Sequence, residues 1–192
     1  MERDAHCMGE PFDGPMRTLN DGVPQSSDII SEARSGSADA LGRLFIEHAG
    51  GLLRVAERLT ASTADAEDIV QDVFVGLPEA LRRYEERGNF AAWLKRVTVR
   101  YALMQMRRDV RRAETPLEDA PEPFAEIRDH AAQSDIARGL AELSPALRAV
   151  FVLHEIEGYS HIEIGELLGI RAGTSEVRLF RARAALRALL ED

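Results

Sequence analysis

The chain has 192 residues, a formal net charge of −9 and a hydrophobic fraction of 45%. That length fits one or two small domains with a packed core, and no apolar run is long enough for a membrane span. The lone cysteine, Cys7, excludes an intrachain disulfide and gives no metal-ligand spacing, so a reducing cytoplasm is the expected compartment and no cofactor is implied.

Residues 1–27 hold Gly9, Pro11, Gly14, Pro15, Gly22 and Pro24 with little periodic hydrophobicity, the composition of a disordered tail. His6 beside Cys7 is half a metal site or, more simply, part of a frayed terminus with a free thiol. No basic segment precedes an apolar core, so no signal peptide is expected, and Met8 and Met16 are alternative starts.

From Asp28 the pattern turns helical, over Ile29, Ile30 and Ala33 and then over Leu41, Leu44, Phe45, His48, Leu52, Val55, Ala56 and Leu59. Gly50-Gly51 is a candidate bend or break. His48, on the apolar side, reads as a packed histidine rather than a ligand. The next helix is predicted to begin between Ser62 and Asp65. Ala66, Ile69, Val70, Val73, Phe74, Leu77 and Leu81 recur at three- and four-residue spacings and make one buried stripe. Asp68, Gln71, Asp72 and Val75 share the opposite face. Gly76 and Pro78 interrupt the pattern. A proline there removes a backbone donor and crowds the carbonyl near Phe74, which predicts a kink or a short break.

A polar loop from Glu85 to Asn89 leads into residues 90–112, a helical stretch with an apolar stripe of Phe90, Trp93, Leu94, Val97, Tyr101 and Met104. Around the stripe lie Lys95, Arg96, Arg100, Arg107, Arg108, Arg111 and Arg112. Aromatics beside arginines can stack on unpaired bases while the cations track phosphates. For Trp93 the competing reading is core packing. Residues 113–135 are acidic, contain Pro116, Pro121 and Pro123, and read as a flexible interdomain linker.

The second domain, residues 136–192, opens with a helix near Ile136. Ser144 and Pro145 mark the next helix, with serine as N-cap and proline at the first helical position. Leu147, Val150, Phe151, Leu153 and Ile156 are its apolar residues, and Gly158 ends it. Residues 158–190, GYSHIEIGELLGIRAGTSEVRLFRARAALRALL, read as two helices joined by a tight turn. Ser160 and Glu163 have the spacing of a capping box, and Gly169 sits where a left-handed C-cap is expected. Ile162, Ile164, Leu167 and Leu168 are predicted to face inward, and Thr174 is the predicted N-cap of the second helix. Val177, Leu179, Ala184, Leu186 and Leu190 supply its apolar surface; Arg178, Arg181, Arg183 and Arg187 lie on other faces. The pattern fits a helix-turn-helix that places its second helix in the DNA major groove, or an ordinary helical hairpin with a solvated basic face. No strand pattern and no internal repeat is present, so the fold class is all-α.

A net charge of −9 is unusual for a nucleic-acid binder, but the charge is segregated. Residues 82–112 carry ten basic and three acidic side chains, and residues 171–187 carry five and one. Residues 113–135 carry one basic and seven acidic, and residues 28–81 carry four and ten. Two basic blocks fit two separate contacts with a polyanion. The acidic parts suggest a basic protein partner or a device against non-specific DNA binding, with plain solvation the alternative for any one block.

Together the two domains resemble a sigma factor of the extracytoplasmic-function (ECF) group, over roughly residues 28–190. DAEDIVQDVFVGL at 65–77 is similar to the family's helix that docks on core polymerase, and FAAWLKRVTVRYALMQMRR at 90–108 to the segment that reads and opens the −10 element. Residues 143–190 are similar to the domain that reads the −35 element. The resemblance implies sigma region 2 over 28–112, a linker over 113–135 and sigma region 4 over 136–192. It further implies that Asp68, Gln71 and Asp72 meet core polymerase, and that Asn89, Trp93, Lys95, Arg96, Arg100, Arg107 and Arg108 serve the −10 element. The loop Glu85–Asn89 lies where the family forms a base pocket. Arg171, Thr174, Ser175, Glu176, Arg178, Arg181 and Arg183 would serve the −35 element. An anti-sigma factor is an expected partner; no stable homo-oligomer and no membrane insertion are expected.

Several positions depart from the family pattern. Gly76 and Pro78 interrupt a helix that is normally continuous. Arg100 and Met104 stand where Asn and Asp are common. Ser175-Glu176-Val177 replaces a commoner apolar-basic-small triplet, and Glu176 either accepts from a cytosine amino group or faces solvent. A conventional helix-turn-helix regulator needs neither the docking helix nor the first basic block. An enzyme would need a phosphate loop, nucleophile elbow, HExxH or ligand cluster, none of which the sequence contains. The carboxylates at 67, 68 and 72 are better explained as a docking face than as an acid/base or metal set.

Overall fold

A computed structural model describes residues 27–85, 89–114 and 135–191, and every regular element among them is helical. The expectations for the N-terminal tail, for Glu86 to Gly88 in the proposed base pocket and for most of the acidic linker lie outside the described residues. The first unit comprises α1 (Ser27–Arg34), α2 (Ala38–Thr60), α3 (Thr63–Arg82) and α4 (Phe90–Glu114). The second comprises α5 (Asp135–Glu142), α6 (Pro145–Phe151), a π-helical turn (Val152–Ile156), α7 (His161–Leu168) and α8 (Ala172–Glu191).

The first predicted run breaks at Gly36, not at Gly50-Gly51. Gly36 sits at φ +90°, in the left-handed region that glycine tolerates, and the Ser37 hydroxyl then accepts from the Ala40 N–H to start α2. The glycine pair lies within α2, which continues unbroken through it and is anchored on both sides by the buried residues Ala49, Leu52, Val55 and Ala56. Nor does Pro78 break α3. Leu77, Ala80 and Leu81 flank it and are buried. Each buried leucine contributes about 1.5–3 kcal/mol, which offsets the roughly 3 kcal/mol a proline costs in a helix interior. Ser62 caps α3 as its position suggests, accepting from the Asp65 N–H at 3.3 Å.

Two apolar clusters organise the molecule. One lies within the first unit and joins α1, α2 and α3 to Tyr84, Phe90 and Leu94. The other is shared by both units. Val55, Ala56, Leu59, Ala66, Ile69, Val99, Ala102 and Leu103 of the first pack with Leu140, Leu143, Val150, Leu153, Tyr159 and Ile164 of the second. The units therefore bury apolar surface against each other.

In the second unit α6 does not run as one α-helix to Gly158. It closes with the π turn, in which the Glu157 N–H reaches back to the Val152 carbonyl at 3.0 Å. Gly158, at φ +77°, and a bond from the Tyr159 N–H to the Leu153 carbonyl complete the cap. The capping box of α7 is complete: Ser160 Oγ accepts from the Glu163 N–H, and Glu163 Oε2 accepts from the Ser160 N–H at 2.8 Å. Gly169 adopts the left-handed conformation at φ +68°.

Candidate nucleic-acid interface

The tight turn between α7 and α8 depends on Gly165. A Cβ there would lie 2.7 Å from the Ile170 carbonyl oxygen, so only glycine lets the chain double back this closely. The Ile170 N–H in turn donates to the Gly165 carbonyl at 2.9 Å. The turn starts α8 at Ala172, earlier than predicted. Thr174 is inside the first turn rather than capping it, because its N–H already donates to the Arg171 carbonyl.

The face that α8 turns to the core also differs from the sequence reading. Ser175, Leu179 and Ala182 are buried, and Leu186 is half-buried behind them. Ser175 is thus removed from the DNA-facing set: its hydroxyl packs inward, 2.9 Å from His161 Nδ1. Val177 and Ala184, predicted as apolar surface, lie outside, and Ile162 of α7 is 68% exposed rather than packed. The outward face carries Thr174, Glu176, Val177, Phe180 and Arg181, with Arg171 at its start. Phe180, 74% exposed, went unnoticed in the sequence; its spacing of three from Val177 was the available signal. Arg178 is half-buried, and Arg183 pairs with Glu155 of the π turn. Burial pushes the Glu155 carboxyl up, but hydrogen bonds with Arg183 and His154 outweigh it and hold the group below its ordinary value. His154 and His161 stack face to face, with ring centroids 4.4 Å apart.

Along α4 the buried side is Phe90, Leu94, Thr98, Val99, Ala102 and Leu103. Trp93 is half-buried. Its ring lies 4.7 Å from Tyr84 and 5.6 Å from Phe90, so it belongs to an aromatic cluster with one side left open. Phe90 also meets His48 at 5.5 Å; burial lowers the His48 pKa, as expected of a packed histidine. Asn89 caps α4 through its Oδ1, which accepts from the Ala92 N–H at 3.0 Å, a role its sequence position had concealed. Arg108 is exposed. Lys95, Arg96 and Arg100 are half-buried on the side turned toward the second unit, and Arg107 donates to the Leu167 carbonyl of α7.

On α3, Asp68, Gln71 and Asp72 are all exposed, on the face opposite Ile69, Val70 and Val73. Val75, 71% exposed, extends that face. Nearby Phe45 and Phe74 meet edge to face at 5.0 Å, with Phe45 and Ile46 of α2 largely uncovered. Among the described residues there is no cluster of metal-ligating side chains and no helix long and apolar enough to cross a membrane.

Both units are similar to known proteins. The family model for sigma-70 region 2 matches residues 44–112, and that for sigma-70 region 4 matches residues 133–186. The chain is 37% identical over 153 residues to the ECF RNA polymerase sigma factor SigE of Mycolicibacterium smegmatis, covering 75% of this chain but only 59% of that relative's length. It is 30% identical over 184 residues to the RNA polymerase sigma factor CnrH of Cupriavidus metallidurans, covering 88% of this chain and 96% of the relative. The solved structure of CnrH in complex with the cytosolic domain of CnrY superposes with a TM-score of 0.50 and 28% identity, over 85% of this chain and 96% of that one. With both region models matched in order and a relative aligned over nearly its full length, the chain belongs to the sigma-70 family, in its extracytoplasmic-function group.

Proposed function

We propose that this protein is an alternative sigma factor that binds core RNA polymerase and directs initiation at promoters carrying matched −35 and −10 elements. The carrying observation is the division of labour among three helices of one chain. An acidic face stands exposed on α3, a cationic row runs along α4, and a helix-turn-helix ends in an exposed face on α8. Asp68, Gln71 and Asp72 are the core-binding residues of this reading. Trp93, Lys95, Arg96, Arg100, Arg107 and Arg108 hold the unpaired −10 strand, with Asn89 positioned as the cap of α4. Arg171, Thr174, Glu176, Arg178 and Arg181 serve the −35 element, and Arg183 contributes once released from Glu155. The domain boundaries are those of the sequence reading, at 28–112 and 136–192.

Strand opening on this mechanism draws on preferential binding of the open state, and the chain performs no reaction of its own. The complex of CnrH with CnrY supports a dedicated protein partner here, which by family resemblance is an anti-sigma factor. The site of action is the cytoplasm, where polymerase and promoter are. Run-off transcription with purified core polymerase tests the proposal. Promoter-specific transcripts should appear only when the protein is added. No binding to core and no specific initiation on genomic templates would overturn it.

A further inference from the structure

Three serine or threonine side chains are buried among the described residues: Thr60, Thr98 and Ser175. Thr60 and Thr98 donate to carbonyls of their own helices, four residues back, at 2.9 and 3.1 Å. Such a bond satisfies the hydroxyl and fixes nothing outside the helix. Ser175 differs. It is fully buried on the core face of α8, and its hydroxyl meets another helix, 2.9 Å from Nδ1 of His161, the first residue of α7. The imidazole is itself held. It stacks on His154 of the π turn with an interplanar angle of 21°, and His154 Nδ1 lies 3.0 Å from Glu155 Oε1. One run of contacts therefore leads from the π turn, through two rings, to the first turn of α8.

A hydrogen bond is directional, and apolar packing is not. Leu179 and Ala182 hold α8 against the core but tolerate a small turn about its axis. A turn of roughly 20° would swing the outward side chains by about 2 Å, given a helix radius of about 5–6 Å with side chains. Recognition needs placement to within about 0.5 Å. Thr174 and Glu176, two −35 residues of the proposed function, flank Ser175 directly. Arg183 of α8 is tied to Glu155 as well, but that pair is open to solvent and is the one given up to DNA. The bond at Ser175 is buried and stays. Resting on the proposed function, we infer that His161 is a positioning residue. Held by His154, it fixes the rotation of α8 through Ser175 and so sets the strength of −35 binding without itself reading a base.

The full chain bound to core polymerase tests this, with a fluorescent duplex that the wild type has selected from a pool randomised over the −35 element. Ser175→Val with His161→Phe replaces both partners of the bond by apolar groups, so the thermal midpoint should stay close to wild type. Affinity for the selected duplex should nevertheless fall about tenfold, the loss of roughly one base contact. Affinity for an unrelated duplex should not change, and the preferred bases should stay the same. His161→Phe alone keeps a ring on His154 but loses the bond, and should show the same fall. His161→Asn keeps a polar atom in the place of Nδ1 without the ring, and should remain within about threefold of wild type. Wild-type affinity in the apolar pair overturns the inference, because packing alone would then position α8. An equal fall in His161→Asn and His161→Phe overturns it too, by removing the bond as the cause. If the apolar pair fails to fold by circular dichroism, the comparison of His161→Asn with His161→Phe decides alone. A wild type that binds core but selects no duplex refutes the −35 reading itself, and the inference falls with it.

Discussion

Arg148 on α6 and Leu59 at the end of α2, 89 residues apart, are joined by a hydrogen bond of 2.9 Å from the guanidinium Nε to the carbonyl oxygen. The same side chain reaches the Leu140 carbonyl near the end of α5 at 3.4 Å. It is 7% exposed. A buried cation placed on two helix C-termini supplies the donor for the Leu59 carbonyl, adds a second donor to the Leu140 carbonyl beside the Leu143 N–H, and meets the negative ends of both dipoles. Arg148→Met keeps the apolar stem but leaves the Leu59 carbonyl unpaired. It should lower stability by about 1–3 kcal/mol, the cost of one orphaned buried acceptor. Urea denaturation checks this; an unchanged midpoint would show that the bond between units contributes nothing.

The acidic face of α3 makes a separate claim. Asp68 and Asp72 are exposed, so reversing both to lysine should leave the helix content and thermal midpoint nearly unchanged. Affinity for core polymerase should fall about tenfold or more, equivalent to at least about 1.4 kcal/mol. Titration of labelled protein with core measures it. Undiminished affinity would remove this face from the interface.

Much of this architecture was legible because local chemistry and tertiary packing agree. Ser62, Ser160 with Glu163, and Gly169 act as their spacing implies, and the stripe from Ala66 to Leu81 is buried as its periodicity requires, except for the half-buried Phe74. The misreadings have one origin, which is that long-range packing outweighs local rules. Pro78 sits inside α3 because leucines beside it are buried, and Thr174 yields the helix start to a turn fixed by Gly165. Ser175 faces inward because the buried face of α8 is the one that carries Leu179 and Ala182. The contact of Glu157 with Arg58 and Lys95 could not be identified from sequence, because these partners lie far away along the chain and meet it only when the units dock.

Two glycines give opposite expectations for the same substitution. Gly165→Ala drives a Cβ to 2.7 Å from a backbone oxygen that cannot move without opening the turn. It should cost about 1–3 kcal/mol and weaken −35 binding through the displaced α8. Gly42→Ala, within α2, meets nothing within 4 Å and should stabilise by about 0.5–1 kcal/mol. Paired thermal melts decide it; equal effects at both positions would mean that the turn is looser than its geometry implies.

Adjacent residues on α8 should behave differently too. Ser175→Ala removes an inward hydrogen bond to His161 and should cost about 1 kcal/mol of stability while leaving base preference unaltered. Glu176→Gln changes an exposed group and should alter preference at one −35 position by about 1–3 kcal/mol if that carboxylate accepts from a cytosine. Selection of binding sites from randomised −35 duplexes separates the two. A changed preference in Ser175→Ala would contradict its burial.

Tyr159 gives the interface between the units a pH dependence of definite sign. Burial raises its phenol from an ordinary value of 10.0 to about 12; Glu157 and Glu163 add to the rise, and Arg96 and Arg100 partly oppose it. Between those two values the unfolded chain has lost the phenolic proton and the folded chain has kept it. The folded state then binds more protons, so stability falls as pH rises. The contribution is fully present below pH 10.0 and is lost as pH passes through about 12. A two-unit shift corresponds to about 2–3 kcal/mol at most. Tyr159→Phe removes this titration, so the stability difference between wild type and variant should shrink by that order across the window. Urea unfolding at stepped pH measures it. A difference that stays constant would place the phenol in water, and with it the face of region 4 that rests on α4.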